Sequence, residues 1–251
     1  MKTKKYIYII LIFYFNVSYC QDSFNVFAEY FFYNSNTNTK NTLNFYFNNK
    51  NGFSEFINLN RNEDTAEFNE LDNNLTINIK NKDTIGQQFF LSKDSIIFRD
   101  HIYTERVFIP VIVSEKMPSY NWKLESDTIT LSNYLCNKAK LEFRGRNFTF
   151  WYTTEIPTKF GPWKFFGLPG LIVKIESDDK TILFQLTNLK YINNYKVLKP
   201  YLGKQISFKE YITFQEKIIE DFAERLKLKL PRGATINVSK LELNSIEKNY
   251  D

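Results

Sequence analysis

Residues 151–176, WYTTEIPTKFGPWKFFGLPGLIVKIE, restrict what this chain can fold into more than any other stretch. Phe148, Phe150 and Tyr152 alternate with Thr149, Trp151 and Thr153, the two-residue period of a strand with one apolar face. Pro157 lacks the amide hydrogen that a ladder needs and is expected to end that strand. Gly161-Pro162 reads as an extended dipeptide, because proline steers the residue before it away from helical backbone. Leu168-Pro169-Gly170-Leu171 suits a type II turn, with Pro169 setting the first central angle and Gly170 the positive one. Gly167 adds a further turn-setting position, and Leu171, Val173 and Ile175 begin a second strand. Between the strands lie Trp163, Phe165, Phe166 and Leu168, four apolar groups that a solvated loop would not carry. Either they pack inward as a plug closing one end of a sheet, or they form a ligand lip or docking surface.

GPWKFFGLPGLI at 161–172 resembles the motif that names the GLPGLI family, exported proteins of Bacteroidetes-type bacteria. FRGRNFTFWYTTEIP at 143–157 and YLCNKA at 134–139 are similar to that family's upstream pattern. The family pattern has Gly before the Tyr where this chain has Asn133, the next best residue for left-handed backbone, so the same geometry is implied. The resemblance runs from about Tyr134 to Leu189. It implies an exported, β-rich protein and implies no particular activity.

Residues 1–20 read as a secretory signal. Lys2, Lys4 and Lys5 form the basic region, Tyr6 to Phe15 the apolar run, and Ser18-Tyr19-Cys20 the cleavage site. The run is too short to span a bilayer as a helix. The mature chain is expected to start at Gln21. A lipid anchor on Cys20 is the alternative, which Val17-Ser18 suits and Tyr19 does not. Either route makes the protein periplasmic, outer-membrane-associated or secreted. The net charge of +5 falls to +2 once the three signal lysines are removed, which leaves no electrostatic case for nucleic acid. Residues 21–251 show no linker and are expected to form a single domain. Cys136 is then the only cysteine, which excludes an internal disulfide and a cysteine-rich metal site; it reads as a small buried hydrophobe.

Short alternating runs recur through the chain: Phe24 to Tyr33, Leu43 to Phe47, Phe53 to Leu59, Leu75 to Lys80, Phe89 to Leu91, Ser95 to Phe98, and Ile102 to Val113 broken at Pro110. They continue with Asn121 to Leu124, Thr128 to Leu131, Tyr134 to Phe143, Phe148 to Ile156, Leu171 to Glu176 and Ile182 to Tyr191. Asn-, Asp- and Gly-rich joints separate them. One helix is expected. Ser207 and Glu210 make a capping box, Phe208, Ile212, Ile219, Phe222 and Leu226 recur at helical spacing, and Pro231 and Gly233 end it near Leu230. A closing strand from Thr235 to Leu243 would follow. The expected architecture is mainly β (α+β), a curved antiparallel sheet or half-open barrel with one long helix packed on it. By element order alone that shape is similar to the lipoprotein-carrier (LolA-like) half-barrel.

Chemistry-bearing motifs are few. His101 is the only histidine, which excludes a histidine-based zinc site; FRDHIYTE reads as a junction between strands with His101 in the turn. Glu142 and Glu155 lie on adjacent expected strands and would have to converge for a carboxylate pair, whereas Glu155 also suits solvent or Arg146. Arg144-Gly145-Arg146 is a hairpin tip, with Gly145 supplying the turn. Its arginines are either two solvated charges or a fork for a carboxylate or phosphate. Asp64-Thr65-Ala66, Asp83-Thr84-Ile85, Asp94-Ser95-Ile96 and Asp127-Thr128-Ile129 resemble triplets that such bacteria O-glycosylate in exported proteins. No phosphate loop, dinucleotide fingerprint or metal-ligand spacing occurs, so no cofactor is expected.

The expectation is therefore a non-enzymatic exported envelope protein. It would bind a hydrophobic or peptide-like ligand, or dock to an outer-membrane partner, through Trp151, Trp163, Phe165, Phe166 and Leu168 with Arg144 and Arg146. Lipid, peptide or an outer-membrane protein are the candidate partners. A hydrolase using the carboxylates or His101 is one alternative, and a purely structural module another.

Overall fold

The computed structural model describes residues 22–57, 65–69, 74–78, 85–104, 107–217 and 246–249. Fourteen strands occur among them: β1 (Asp22–Asn34), β2 (Thr39–Phe47), β3 (Gly52–Ile57), β4 (Thr65–Asn69), β5 (Asn74–Asn78), β6 (Gln88–Leu91) and β7 (Ser95–Thr104), followed by β8 (Val107–Lys116), β9 (Lys123–Leu131), β10 (Tyr134–Phe143), β11 (Arg146–Thr153), β12 (Leu171–Ser177), β13 (Ile182–Val197) and β14 (Lys204–Ser207). Twelve form one open sheet in the order β14-β8-β7-β6-β3-β2-β1-β13-β12-β11-β10-β9, and β4 and β5 form a separate hairpin. Two meanders run outward in opposite directions from the central antiparallel pair β1–β13. Every pairing is antiparallel except β14 beside β8.

Turn chemistry fixes the tight hairpins of the second meander. Ser132 and Asn133 join β9 to β10 with φ of 48° and 67°, and Arg144 and Gly145 join β10 to β11 with φ of 46° and 75°. Two successive positive φ values match the right-handed twist of the flanking strands. Asn133 thus takes the left-handed backbone expected where the family pattern has glycine.

The sheet curls strongly on itself. Strands β6 and β10 are seven positions apart in the order, roughly 33 Å in a flat sheet at the usual strand spacing. Yet the Trp163 ring lies 6.3 Å from Phe89 of β6 and 6.0 Å from Phe143 of β10. The Tyr30 hydroxyl of β1 likewise donates to the Ile172 carbonyl of β12 at 2.5 Å. The concave side holds the main core, including Phe45, Phe89, Phe98, Phe148, Phe150 and Phe165. A smaller cluster of Phe24, Tyr46, Phe53 and Phe90 packs separately.

The helix differs from expectation. Among the described residues the sheet carries one short helix, α1, at residues 208–217, ten residues in length, and not the long one expected. The expected positions Ile219, Phe222 and Leu226, and the strand expected from Thr235 to Leu243, lie outside the described residues. Within α1 the buried face centres on Tyr211 and Gln215, with Phe208 and Phe214 partly buried. Tyr211 was easy to overlook because its hydroxyl counts as polar; here that hydroxyl donates to Asp100 at 2.6 Å while the ring packs on Phe98. The capping box forms as expected. Glu210 accepts from the Ser207 amide at 2.7 Å and Ser207 Oγ accepts from the Glu210 amide at 3.2 Å.

The run from Ile102 to Val113 is not one strand broken at Pro110. It is the end of β7 and most of β8, with Pro110 inside β8 opposite His101. The outer neighbour β14 begins pairing only opposite Val111, so Pro110 lies just beyond that ladder, a position that tolerates a missing donor. His101 is accordingly a strand residue and not a turn residue.

The Pro169-Gly170 corner also departs from the expected type II turn, since Gly170 does not adopt a positive φ. Its glycine is required by close approach: a Cβ there would stand 2.0 Å from the Thr153 carbonyl oxygen and 2.7 Å from its carbon. Backbone must move to admit it. Gly170→Ala is expected to destabilise by about 1–3 kcal/mol, the range of overpacking, and a denaturant midpoint equal to wild type would count against this packing.

Candidate functional site

The aromatic loop is a plug. Phe160, Trp163, Phe165 and Leu168 are buried, Phe166 is partly buried, and only Pro157, Gly167 and Pro169 of its turn residues are exposed. Phe165 meets Phe150, Phe148, Phe143 and Trp163 with centroids 4.8, 5.5, 6.0 and 5.1 Å away. Main-chain bonds close the loop on itself, from Gly161 N to Phe165 O at 2.8 Å and from Gly167 N to Lys159 O at 2.7 Å. Trp163 takes φ of 60°, a conformation costing a bulky residue about 1–2 kcal/mol. Its amide is held by Ser54 Oγ of β3 at 3.0 Å, so both flanks of the curled sheet grip the same residue.

One residue in this plug was not anticipated. Lys164, between Trp163 and Phe165, has a side chain only 2% exposed. A lysine cannot be buried without a partner, and its partners come from far along the chain. Its Nζ donates to both carboxylate oxygens of Glu247 at 2.9 Å and lies 3.8 Å from Glu115 Oε2. Arg144 completes the cluster, donating through Nη1 to Glu247 and through Nη2 to Glu115. All four side chains are at least nine-tenths buried. Rings cap the cations: Lys164 Nζ lies 4.2 Å from the Phe98 centroid, and the Arg144 guanidinium 4.7 Å from Phe208 and 5.1 Å from Phe143.

Burial pushes the Lys164 ammonium below the ordinary lysine range. Glu247 pulls it back, and Arg144 adds to the lowering. Tyr120, whose hydroxyl donates to the Lys164 carbonyl, is pushed well above the usual tyrosine range by burial and then by Glu247. Two cations and two carboxylates balance one another, and removing any one would leave a buried charge uncompensated. Glu247 arrives on the segment 246–249, a strap whose Lys248 and Asn249 amides donate to the Arg144 carbonyl at 2.9 and 3.2 Å.

Two clefts flank Arg144 and share Glu142 at their rim. One, of about 480 Å³, is lined by Asn121, Lys123, Gly145 and Asn249. The other, of about 520 Å³, is lined by Glu115, Met117, Pro118, Ser119, Phe143 and Phe208.

The remaining sequence candidates disperse. The arginines of the hairpin tip are not solvated charges, since both are buried. Arg146 turns away from Arg144 to Asp179 at 2.5 Å and Thr181 at 2.6 Å. Trp151 packs partly buried with Lys138 Nζ 5.8 Å from its ring. Glu142 and Glu155 do not converge. Glu155 accepts from the Leu135 amide at 3.0 Å, and Leu135 lies seven residues along β10 from Glu142, roughly 23 Å of strand. Glu155 does not pair with Arg146 either. Cys136 is buried, and burial pushes its thiol up. Asp127-Thr128-Ile129 lies on the exposed edge strand β9, and Asp94-Ser95-Ile96 at the β6–β7 turn. Asp64 and Asp83 lie outside the described residues. No group of three or more His, Cys, Asp or Glu could hold a metal ion, and no helix is long and apolar enough to cross a membrane, among the described residues.

Asp179 gives a measurable pH signature. Burial pushes its carboxyl up, but hydrogen bonds from Ser177 and Thr181 and the Arg146 charge outweigh that and hold it well below the usual range. A depressed folded value contributes stability above the unfolded value, about 4 for aspartate, and loses it as pH falls through the folded value. Asp179→Asn should thus be less stable than wild type at pH 6, with the gap narrowing in urea melts taken below about pH 4. A constant gap would contradict the assignment.

Residues 142–174 match the model of a family described as "Protein of unknown function (Porph_ging)". That stretch covers the β10–β11 turn, β11, the plug and the start of β12, and it contains Arg144 and Lys164 but neither carboxylate of the cluster. No curated protein matches the sequence significantly. Two structures of PNGF-II, in space groups P21 and C2, resemble the fold with TM-scores of 0.52 and 0.51 at 14% and 16% identity. Each alignment covers 78% of this chain, which spans about a third of the PNGF-II length, 34% and 33%. A crystal structure of an uncharacterized conserved protein from Thermus thermophilus aligns with a TM-score of 0.40 at 8% identity, over 74% of this chain and 91% of that one. At these identities the likeness to PNGF-II is one of fold.

Proposed function

We propose that this chain is an exported, non-enzymatic cell-envelope protein of the GLPGLI type that binds a peptide-like ligand in the clefts beside Arg144. The observation that carries the reading is the pair of clefts meeting at Arg144, open beside a sheet whose interior is filled by its own rings. Because Trp163, Phe165 and Leu168 are used in packing, the ligand surface moves from the aromatic loop to the hairpin beside it. The mixture of Met117, Pro118 and Phe143 with Glu142, Lys123 and Asn249 suits an amphipathic chain more than a lipid tail.

The reading is tested by titrating the full-length protein with a panel of short peptides. Binding peptides are expected to shift the amide resonances of Lys116, Met117, Glu142 and Gly145 and to be recovered intact. Cleaved peptide, or shifts confined to other faces, would contradict it. Location is tested by fractionating the native host. The protein should be found in the envelope or medium beginning at Gln21, or at a lipidated Cys20, and a cytosolic form beginning at Met1 would overturn export. Intact mass tests glycosylation of the Asp-Ser/Thr triplets, for which the bare mature mass would be the negative result.

A further inference from the structure

We propose that Arg144 and Lys164 form a socket for a peptide carboxylate, that segment 246–249 is its resident occupant, and that an acidic peptide from a partner can take its place. The inference rests on the peptide reading of the clefts and names the ligand class.

The socket is built independently of the strap. Arg144 is set by the β10–β11 turn and held by Glu115 of β8, while Lys164 is carried on the plug with its carbonyl bonded to Tyr120. Without Glu247 the two buried cations would keep Glu115 as their one carboxylate contact among the described residues, with Asp100 acting on Lys164 only from outside the cluster, so the cluster itself would be short of one negative charge. Glu115 Oε2 accepts no hydrogen bond among the described residues and stands 3.8 Å from Lys164, so the socket alone does not satisfy that ammonium.

The occupant docks as a peptide would. Ile246 packs on the main core, Glu247 places both oxygens 2.9 Å from Lys164 Nζ, and the next two amides donate to the Arg144 carbonyl. The Lys248 side chain adds a partly exposed pair with Asp179 at 3.3 Å, a weak contact. The recognised pattern is therefore an apolar residue, Glu, then two residues with free amide hydrogens, which excludes proline at either. A foreign chain with that pattern can form the same bonds, and the two clefts offer room for the residues on either side.

Full-length Glu247→Ala empties the socket. Its melting temperature should fall by roughly 10 °C and be restored saturably by propionate, but not by chloride at equal ionic strength or by inorganic phosphate. Wild type and Lys164→Met/Glu247→Ala should not respond. Absence of rescue, or equal rescue by chloride or phosphate, overturns the carboxylate socket. Should Glu247→Ala fail to fold, the wild-type chain carries the test. Excess acetyl-Ile-Glu-Lys-Asn-amide should speed exchange of the Lys248 and Asn249 amides by about tenfold or more as the strap is displaced, and the Gln-for-Glu peptide should not. Equal effects of both peptides, or of neither, overturn displacement. Propionate rescue with no peptide binding anywhere in the clefts upholds the socket and defeats the peptide reading, and peptide binding without rescue does the reverse.

Discussion

Phe165→Ala is expected to destabilise the protein by about 3–5 kcal/mol, the range for deleting a fully buried aromatic ring. The side chain is 0% exposed and touches four other rings, three of them on β10 and β11. It also positions Trp163, which reaches across to Phe89. The void would open beside Trp163, where the two meanders of the curled sheet meet through side chains, with little freedom to collapse. Phe166→Ala is the control. Its ring is partly exposed and, among the described residues, pairs with Phe160 alone at 5.3 Å, so its loss should be clearly smaller. Equal midpoints for the two variants in guanidinium would contradict the plug.

Arg144→Met is expected to cost about 3–5 kcal/mol, because it leaves Glu115 and Glu247 buried with Lys164 as their only cation. Adding Glu115→Leu restores the balance of one cation and one carboxylate, and the double variant should recover much of the loss. A double variant no better than Arg144→Met would mean that Arg144 acts through packing on Phe143 and Phe208 and not through charge. The partly exposed Lys138, paired with Glu125 and Asp127 at 2.8 and 2.7 Å, is the contrasting case, and Lys138→Met should leave the midpoint nearly unchanged.

Much of the sheet could be read from alternation, since β11 and β12 bury every second residue on the concave face and β10 does so from Ala139 to Phe143. The corner between β11 and β12 was legible because Pro and Gly cluster there with rings. What escaped was how tightly the expected curved sheet curls. Alternation says which side is apolar but not that β6 and β10 share one ring, so whether the loop faced inward stayed open. The ion cluster escaped for a related reason. Lys164 carried a faint signal, a lysine amid four apolar neighbours. Glu115 and Glu247, distant in sequence and unmarked by any motif, carried none. Gly170 was assigned to a turn when its reason is contact with Thr153, a distinction that depends on tertiary neighbours.

The most direct measurement is native-state hydrogen exchange at Gly161, Trp163 and Phe165, whose amides are bonded to Phe165 O, Ser54 Oγ and Pro162 O. A loop that merely covers the sheet would exchange through small local openings. A plug that joins its halves should exchange only when the whole sheet unfolds, with the same free energy as amides of β1 and β12. Exchange at these three positions orders of magnitude faster than in β1 would contradict the account.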